Sequence, residues 1–297
     1  MYEITIVPDD SDVLIEQIGT KDKFWYSGEE KLFKQGRSGT GEDWAEKVAC
    51  ELCKILNIPC AEYYFSRYKD KIGTTSVTIV PKGGMLVLGN VLIEKIYDDY
   101  VSSKKYGQSK YTVRKVAALL FRTNAIPPRT YNKVENIDTA IGVFSGYLLF
   151  DMLISNQDRH HENWGLVGQK SQVYLAETFD HASSLGRNES DETRKRIMTA
   201  PKNRGDLNSY VCKAKSAFFN IEGRRMTTEE AVKEVFRYCP DDVHGWIRQF
   251  KKITSQDLDT IFNNIPPEII THTAIEFAKN IILTNQNRIM KLEDNLL

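Results

Sequence analysis

The chain has 297 residues with 40 basic and 40 acidic side chains, so its formal net charge is zero. This balance excludes a protein that coats nucleic acid through bulk electrostatics, and we expect no direct nucleic-acid binding. A hydrophobic fraction of 41% excludes a disordered chain, and the length suits one large domain or two lobes that share a cleft. The first residues are too polar for a signal peptide, and no apolar run reaches the about 20 residues of a membrane helix. We therefore expect a cytoplasmic protein without a membrane segment.

The first hundred residues predict mostly strands. Short apolar-rich runs predict strands at residues 3–7 and 13–18, and a hairpin formed by residues 24–26 and 31–34 around Ser27-Gly28. Apolar residues then recur with the helical period from Glu42 to Leu56, and Pro59 stops this helix. Further strands are expected at residues 62–68, 74–79, 85–88 and 91–96.

Helical patterns dominate the rest of the chain. They are expected at residues 113–122, 137–154, 208–219, 228–238, 243–250, 255–263 and 268–290. One strand pair, at residues 164–167 and 172–178, interrupts them. The pattern predicts an α+β fold with a strand-rich first lobe (1–97) that carries one helix, and a larger, mostly helical second lobe (98–297). Two lobes of unlike class, meeting near Tyr97, imply a cleft between them, and such clefts are preferred ligand sites.

The five cysteines are too few for a disulfide framework in a chain of this length. Cys50 and Cys53 form a C-x-x-C pair, but they lie inside the helix pattern of residues 42–56. Redox pairs of this kind need a helix N-terminus to lower the thiol pKa, and zinc would need a second pair at matching spacing. We therefore expect both thiols to be packed core residues.

The strongest motif is Asp158-Arg159-His160-His161-Glu162-Asn163, followed after a predicted hairpin by Thr178-Phe179-Asp180. In phosphoryl transfer one carboxylate accepts the proton of the attacking hydroxyl, while an amide oxygen and a second carboxylate hold Mg²⁺ against the phosphates. Protein kinases have an Asp and an Asn at this spacing, and a metal-binding Asp after the next hairpin. The motif predicts a phosphoryl-transfer centre. The alternative is that Asp158 and Asn163 are turn residues, since both residue types favour turns.

Lys34 ends a predicted strand just before the helix of residues 42–56. Kinases use a strand lysine to hold phosphates and pair it with a glutamate of the next helix. Glu46, one turn into that helix, is the predicted partner, with Glu51 as the alternative. In isolation Lys34 would be interpreted as a solvated lysine; the Asp158 motif favours the phosphate-holding interpretation.

Two glycine segments are compatible with phosphate binding. Gly19-Thr20-Lys21-Asp22-Lys23 lies between two predicted strands, where backbone N–H groups can point at phosphates, although a plain hairpin turn has the same sequence features. Residues 36–41 are also rich in glycine, but their position after Lys34 favours a flexible connection into the helix. Neither segment matches the G-x-x-x-x-G-K-[ST] loop.

His160 and His161 raise the alternative of metal-dependent hydrolysis. Adjacent histidines point in different directions, and the chain has no H-E-x-x-H pattern. The remaining histidines, His181, His244 and His272, lie far away in sequence. We do not expect a catalytic transition-metal site.

Five segments in this order resemble the HipA-like kinases, a family named after a bacterial persistence toxin. They are Gly19-Thr20-Lys21-Asp22-Lys23-Phe24-Trp25, Gly41-Glu42-Asp43-Trp44-Ala45-Glu46-Lys47, Leu92-Ile93-Glu94-Lys95-Ile96-Tyr97, Asn156-Gln157-Asp158-Arg159-His160-His161-Glu162-Asn163-Trp164-Gly165 and Phe179-Asp180-His181-Ala182-Ser183-Ser184-Leu185-Gly186. Five ordered segments are far more specific than any one of them. The helical part beyond Gly186 is compatible with the family but carries no matching motif.

The resemblance implies a two-lobed protein-kinase-like fold with ATP in the cleft, and transfer of its γ-phosphate to a serine or threonine of a protein. It assigns the catalytic base to Asp158 and the magnesium ligands to Asn163 and Asp180. It assigns the phosphate-holding lysine to Lys34, with Glu46 on the neighbouring helix.

The resemblance also implies the nucleotide contacts. Gly19, Thr20, Lys21, Asp22 and Lys23 would form the phosphate loop. The backbone near Glu94 and Ile96, in a hinge strand of residues 92–97, would read adenine. His160 matches a family position close to the nucleotide. Whether it contacts phosphate or only shapes the loop is left open.

Family members often regulate themselves by phosphorylating a hydroxyl of the phosphate loop. Thr20 is the hydroxyl of residues 19–23 and therefore the candidate, although it is equally compatible with a turn role. A phosphate there would repel the ATP phosphates. Only residues 1–12 precede the first kinase strand, which resembles compact members of the HipT and Helicobacter pro-inflammatory kinase type, without the N-terminal subdomain of the full-length toxins.

The resemblance finally implies partners. Toxin members act on aminoacyl-tRNA synthetases, so a protein substrate such as a synthetase or another translation factor is expected, and a separately encoded small antitoxin is compatible with the compact form. The basic segment of residues 194–204 is interpreted as a solvated helix face, with contact to an acidic substrate or to a protein–tRNA complex as the alternative. Two other functions stay open: a kinase for a small molecule or lipid, and a nucleotide-binding pseudokinase, which the presence of Lys34, Asp158 and Asp180 disfavours.

Overall fold

The computed structural model describes residues 1–9, 14–15, 23–28 and 30–295. Its first part holds the elements β1 (Ile4–Ile6), β2 (Leu14–Ile15), β3 (Lys23–Tyr26), β4 (Lys31–Gln35), α1 (Glu42–Leu56), β5 (Tyr63–Tyr68) and β6 (Lys71–Val77). The strands form one sheet in the order β1-β5-β6-β4-β3-β2. β1 runs parallel to β5, and the other neighbours are antiparallel.

Local chemistry explains two features of this sheet. The β3–β4 hairpin turns at Ser27 and Gly28, whose φ angles of 53° and 66° are left-handed values that glycine adopts without strain. Its register pairs Tyr26 with Lys31 and places Lys23 opposite Lys34. α1 has the predicted bounds, with acidic residues in its first turn and Asn57 in the left-handed conformation after its end.

A second sheet joins the two halves of the chain. The next elements are β7 (Gly84–Leu88), α2 (Gly89–Glu94), α3 (Val113–Arg122), α4 (Ala140–Leu153), β8 (Gly165–Gln169) and β9 (Gln172–Leu175). β7 pairs with β8, which pairs with β9, so β7 belongs to the same sheet as the strands that follow the Asp158 motif. The chain therefore passes from the first sheet to the second between Val77 and Gly84, before the boundary predicted near Tyr97.

The strand predicted at residues 91–96 is wrong, because these residues form α2 and the turn after it. A short apolar run does not distinguish a strand from a buried helix by its period. Contacts with the rest of the chain favour the helix here. Ile93 is completely buried, and the N–H of Gly89 donates to the Trp164 carbonyl at 2.9 Å. A Cβ on Gly89 would lie 2.3 Å from the Trp164 ring, so glycine is what lets the helix begin against that ring.

The remaining elements are helical apart from one hairpin. They are α5 (Asp191–Thr199), α6 (Leu207–Cys212), β10 (Lys215–Phe219), β11 (Arg225–Thr227), α7 (Thr228–Phe236), α8 (Pro240–Phe250), α9 (Ser255–Asn263) and α10 (His272–Asn295). The helix predicted at residues 208–219 is thus only half correct. Phe218 stacks on Tyr111 with ring centroids 4.2 Å apart, and β10 pairs with β11, which favours the extended form of the second half.

The core of the second part surrounds α4, in which every residue is buried. This explains why α4 is apolar on all faces. Within the ranges given above, no helix is both long and apolar enough to cross a bilayer. Cys50 and Cys53 are free and buried on α1, which confirms that they are packed core residues.

Candidate active site

A cavity of about 580 Å³ opens between the first sheet and the second part of the chain. Its volume is in the range of small-molecule sites. Nine of the predicted site residues are among those the structure describes, and six of these line the cavity; they are Lys23, Lys34, Asp158, His160, Asn163 and Asp180. We call it the active-site cavity.

A buried ion pair fixes the loop that carries Asp158. Arg159 donates from Nε and Nη2 to the two carboxylate oxygens of Asp151 on α4, at 2.9 and 2.8 Å. Its Nη1 donates to the Asn163 carbonyl at 2.8 Å. Asn156 donates to Asp151 at 2.8 Å and accepts the N–H of Asp158 at 3.1 Å. Sequence reasoning gave Arg159 and Asp151 no role, because the contact is formed only when the loop folds back onto the helix.

Asn163 and Asp180 are oriented by their own contacts. The Asn163 side-chain amide donates to the Asp158 carbonyl at 2.8 Å, which assigns its other end, the oxygen, as the atom able to ligate a metal. The N–H of Asp180 donates to the Tyr63 hydroxyl at 3.1 Å, and the φ of Asp180 is 58°, a left-handed value. Asp180 Oδ2 lies 3.6 Å from Lys34 Nζ. Tyr63 of β5 thus holds the Asp180 backbone, and Lys34 of β4 contacts its carboxylate at the cavity wall.

The electrostatics of Asp158 fit a cation-binding site. Burial, followed by the charge of the nearby Asp180 carboxylate, raises the pKa of Asp158 to about 6, against the opposing charges of Lys105 and Arg187. The Ser183 hydroxyl donates to Asp158 Oδ2 at 3.5 Å. The Asp180 carboxylate and the Asn163 amide oxygen are hard ligands of the kind Mg²⁺ prefers, and a divalent cation beside them would relieve the repulsion between Asp180 and Asp158. The residues present therefore fit the predicted magnesium ion.

His160 is a neutral neighbour of Asp158. Its Nδ1 accepts the N–H of Glu162 at 3.1 Å, which assigns the proton to Nε2, 3.7 Å from Asp158 Oδ1. Burial, followed by the charge of Lys105, lowers the pKa of His160 to about 3. The ring of His161 is nearly perpendicular to it and contacts the Tyr100 hydroxyl at 2.5 Å. The two histidines thus face different groups.

The structure gives Lys34 and Glu46 different partners, so the predicted Lys34–Glu46 pair is corrected. Lys34 contacts Asp180, whereas the buried Glu46 carboxylate accepts the N–H of His181 at 2.8 Å. The alternative partner, Glu51, pairs with Lys47 and Lys54 on the surface side of α1. Glu46 therefore ties α1 to the backbone next to Asp180 instead of neutralising the lysine.

Glu42, rather than Glu46, is the α1 carboxylate that lines the cavity. It is 2% exposed, pairs with Arg187, and accepts from Arg37 Nη1 at 2.9 Å and from the Arg37 N–H at 3.1 Å. The Gly41 N–H donates to the Arg187 carbonyl at 3.1 Å. Arg187 Nη2 donates to the Ser183 hydroxyl, which in turn donates to Asp158. A continuous chain of contacts thus joins the start of α1 to the predicted base.

The adenine contacts predicted from Glu94 and Ile96 are also corrected. Both residues lie at or after the end of α2, and the exposed Glu94 carboxylate accepts the Ser102 N–H at 3.0 Å. Residues 77–80, from the end of β6 towards β7, line the cavity instead. Apolar side chains beside this edge complete the wall; they are Ala61, Leu86 and Leu88.

Part of the predicted phosphate loop lies outside the described residues, namely Gly19, Thr20, Lys21 and Asp22. Its last residue, Lys23, is described and lines the cavity opposite Lys34 on the neighbouring strand. The role predicted for the loop and for Thr20 therefore stays a prediction.

Solved structures share this architecture. The chain superposes on the Helicobacter pylori proinflammatory kinase CtkA with a TM-score of 0.74 at 18% sequence identity, over 97% of this chain and 96% of that one. The chain has a two-lobed protein-kinase-like fold. The first sheet and α1 belong to its small lobe, and the mostly helical part that carries Asp158 belongs to its large lobe. The predicted division into residues 1–97 and 98–297 stays a prediction.

A second neighbour is HipA, from a complex of the Shewanella oneidensis MR-1 toxin–antitoxin system with HipB and operator DNA. The TM-score is 0.57 at 13% identity, over 93% of this chain and 65% of that one. No protein-family model and no curated protein sequence matches the chain. The likeness therefore confirms the predicted resemblance to HipA-like kinases at the level of the fold.

Proposed function

We propose that this chain is an ATP-dependent serine/threonine protein kinase of the HipA-like type. The observation that carries the proposal is the meeting of Asp158, Asn163, Asp180 and Lys34 in one cavity between the lobes of a kinase fold. These residues come from distant parts of the chain and from both lobes. Their chemistry matches the base, the metal ligands and the phosphate-holding lysine of phosphoryl transfer.

In this proposal Asp158 orients the acceptor hydroxyl and accepts its proton. A pKa of about 6 suits this task, because a general base works best with a pKa near the working pH. Asn163 and Asp180 hold Mg²⁺, which would neutralise phosphate charge when bound. Lys34, 3.6 Å from Asp180, holds the phosphates beside that site.

The rest of the cavity supplies the remaining contacts. Adenine is proposed to hydrogen-bond to the backbone of residues 77–80, which line the cavity, with Leu86 and Leu88 against its face. Lys23 extends the positive wall, and the loop before it, with Thr20, is proposed to cover the phosphates. The acceptor is proposed to be a protein, such as a component of translation, and a small separately encoded protein is proposed as a regulatory partner by analogy with HipB beside HipA.

The test is phosphate transfer by the purified chain. Wild type with ATP and Mg²⁺ is expected to form ADP and to place phosphate on serine or threonine, its own or that of an added protein, as read by intact mass and site mapping. Asp180→Ala is expected to lose about 100-fold or more in rate, as the loss of one transition-state contact typically costs. Asp98→Ala, at an exposed position outside the cavity, is the matched control.

The outcomes separate the candidate functions. ATP consumption without phosphate on any protein would replace the proposal with a kinase for a small molecule. Binding of ATP without consumption would indicate a pseudokinase. Full transfer by Asp180→Ala would contradict the assigned metal ligand.

A further inference from the structure

A second cavity of about 400 Å³ continues from the active-site cavity along the large lobe. Four residues line both cavities: Ser155, Gln157, Glu189 and Tyr210. Gln157 directly precedes the proposed base, Asp158, in the chain. A polypeptide that presents a hydroxyl to Asp158 can therefore extend into the second cavity without crossing any element of the fold.

The far end of the second cavity is positively charged. Arg196 on α5 and Lys213 after α6 line it, and neither lines the active-site cavity. Both side chains are exposed, and in the part of the chain that the structure describes neither forms an ion pair. Most other cations beside the active site are paired, as Arg187 is with Glu42 and Arg194 with Asp191.

Two carboxylates of the surrounding elements are engaged with other groups. Asp191 pairs with Arg194, and Asp206 caps α6 by accepting from the backbone N–H of Ser209. Glu189 accepts from the Tyr210 hydroxyl at 3.2 Å and lies at the junction of the two cavities. The groove is thus acidic near Asp158 and basic farther away.

We infer that the second cavity is the acceptor groove, and that it selects protein segments with acidic side chains. The inference rests on the proposed kinase function. Seen from Asp158, Arg196 and Lys213 lie beyond Glu189. The acidic residues that they select are therefore some positions along the acceptor from the phosphorylated hydroxyl, not next to it. The rim residue Glu189 disfavours an acidic residue directly next to the hydroxyl through like-charge repulsion.

Hydrogen bonds fix the hairpin that follows Lys213 relative to the proposed base. Arg225 of β11 donates from Nη2 to the Gln157 carbonyl at 3.2 Å and from Nε to the Ser216 carbonyl at 2.7 Å. This ties the β10–β11 hairpin to the loop that carries Asp158. Lys213, two residues before β10, is thereby positioned relative to the base, as selection at a fixed distance along the acceptor requires.

The test is a library of serine and threonine peptides in which one position at a time is varied. Wild type is expected to favour Asp or Glu at one or two positions away from the acceptor. The double charge reversal Arg196→Glu with Lys213→Glu is expected to raise KM for the best acidic peptide about tenfold, with kcat within about twofold, since each exposed charge contact is worth up to about 1 kcal/mol. Lys195→Glu with Lys202→Glu, exposed positions outside the groove lining, makes the same change in net charge and is the matched control.

Each outcome decides the matter. Phosphate transfer without an acidic preference, or an equal loss in the control variant, overturns the acceptor groove and leaves the kinase proposal intact. Absence of transfer to every peptide and to the chain itself overturns the kinase proposal and the groove with it. If the variant Arg196→Glu with Lys213→Glu keeps the preference for acidic peptides but no longer binds RNA that wild type binds, the two cations bind a nucleic acid and the inference is wrong.

Discussion

Asp158 lies between groups that act on its pKa in opposite directions. Burial and the carboxylate of Asp180 favour its protonated form, while Lys105, Arg187 and the Ser183 hydroxyl favour the carboxylate. The effects that favour the protonated form are larger, so keeping Asp158 ionised near neutral pH costs folding free energy. Such a cost is expected at a catalytic position, where strongly shifted pKa values cluster.

This cost predicts that Asp158→Asn stabilises the protein near neutral pH. A pKa raised from 3.8 to about 6 means that the folded state binds a proton more tightly than the unfolded state. The free energy of unfolding of wild type therefore falls as pH rises between these values, and at higher pH the variant should be more stable by about 1–2 kcal/mol. Thermal unfolding without nucleotide should show a higher Tm for the variant at neutral pH, and equal values near pH 4.

The control for this experiment is Asp98→Asn, at an exposed position. It should leave Tm unchanged at every pH. A variant Asp158→Asn that is less stable than wild type at neutral pH would show that the carboxylate is a structural contact and would contradict the described environment.

Among the elements, α1 is the one that couples the two lobes at the site. Its buried Glu42 pairs with Arg187 of the large lobe, and its buried Glu46 accepts the N–H of His181. A charge left buried after its partner is removed is strongly destabilising, whereas an exposed pair contributes little. The coupling can therefore be measured by stability alone.

We predict that Glu42→Ala lowers the free energy of unfolding by about 3 kcal/mol, because Arg187 is left largely buried without its carboxylate. Arg224→Ala breaks the exposed Arg224–Glu230 pair and should cost less than about 1 kcal/mol. Denaturant unfolding of both variants checks the difference. Similar small losses in the two would mean that the Glu42–Arg187 pair carries no coupling between the lobes.

The cavity edge formed by residues 77–80 leads to a second prediction about the elements of the fold. Leu86→Trp adds volume to the wall of β7 that faces the cavity and should weaken ATP binding about tenfold or more, as overpacking of a filled site costs 1–3 kcal/mol. Glu94→Ala should leave ATP affinity unchanged, since Glu94 lies on the surface and contacts Ser102. Calorimetric titration with ATP and Mg²⁺ measures both. Weaker ATP binding by Glu94→Ala together with unchanged binding by Leu86→Trp would instead support the adenine contacts predicted near Glu94.

Elements with a strong period could be predicted from the sequence, and ambiguous ones could not. The bounds of α1, α3 and α9 agree with the prediction, because each has an apolar face of helical period and a clear end. α2 and β10 were assigned wrongly, because their short apolar runs are settled by contacts with Trp164 and Tyr111 from distant segments. The parallel pairing of β1 with β5 likewise has no signal in either strand alone.

The same distinction holds for the site. Asp158, Asn163 and Asp180, which line one cavity, could be grouped from the sequence because their spacing reflects the order of a loop, a hairpin and the aspartate that follows it. The contacts of Glu42, Arg187 and Arg159 were missed, because each joins residues that the sequence does not place together. Glu46 was given the wrong partner for this reason too: a helix position fixes which face a residue occupies, but not which segment packs against it.

At the scale of the whole molecule, the kinase fold places residues from both lobes around one cavity. Lys34 comes from the small lobe, whereas Asp158, Asn163 and Asp180 come from the large lobe. Fold likeness alone does not establish an activity, because one fold can host several functions. The central claim is therefore a claim about chemistry at Asp158.

The most direct measurement is single-turnover transfer of labelled γ-phosphate from ATP by wild type and by Asp158→Asn, with ATP affinity measured on the same samples. We predict that the variant binds ATP and Mg²⁺ within about threefold of wild type but transfers phosphate about 100-fold or more slowly, since a positioned base contributes about 10²–10⁴-fold. Transfer at the wild-type rate by a folded Asp158→Asn variant would contradict the account.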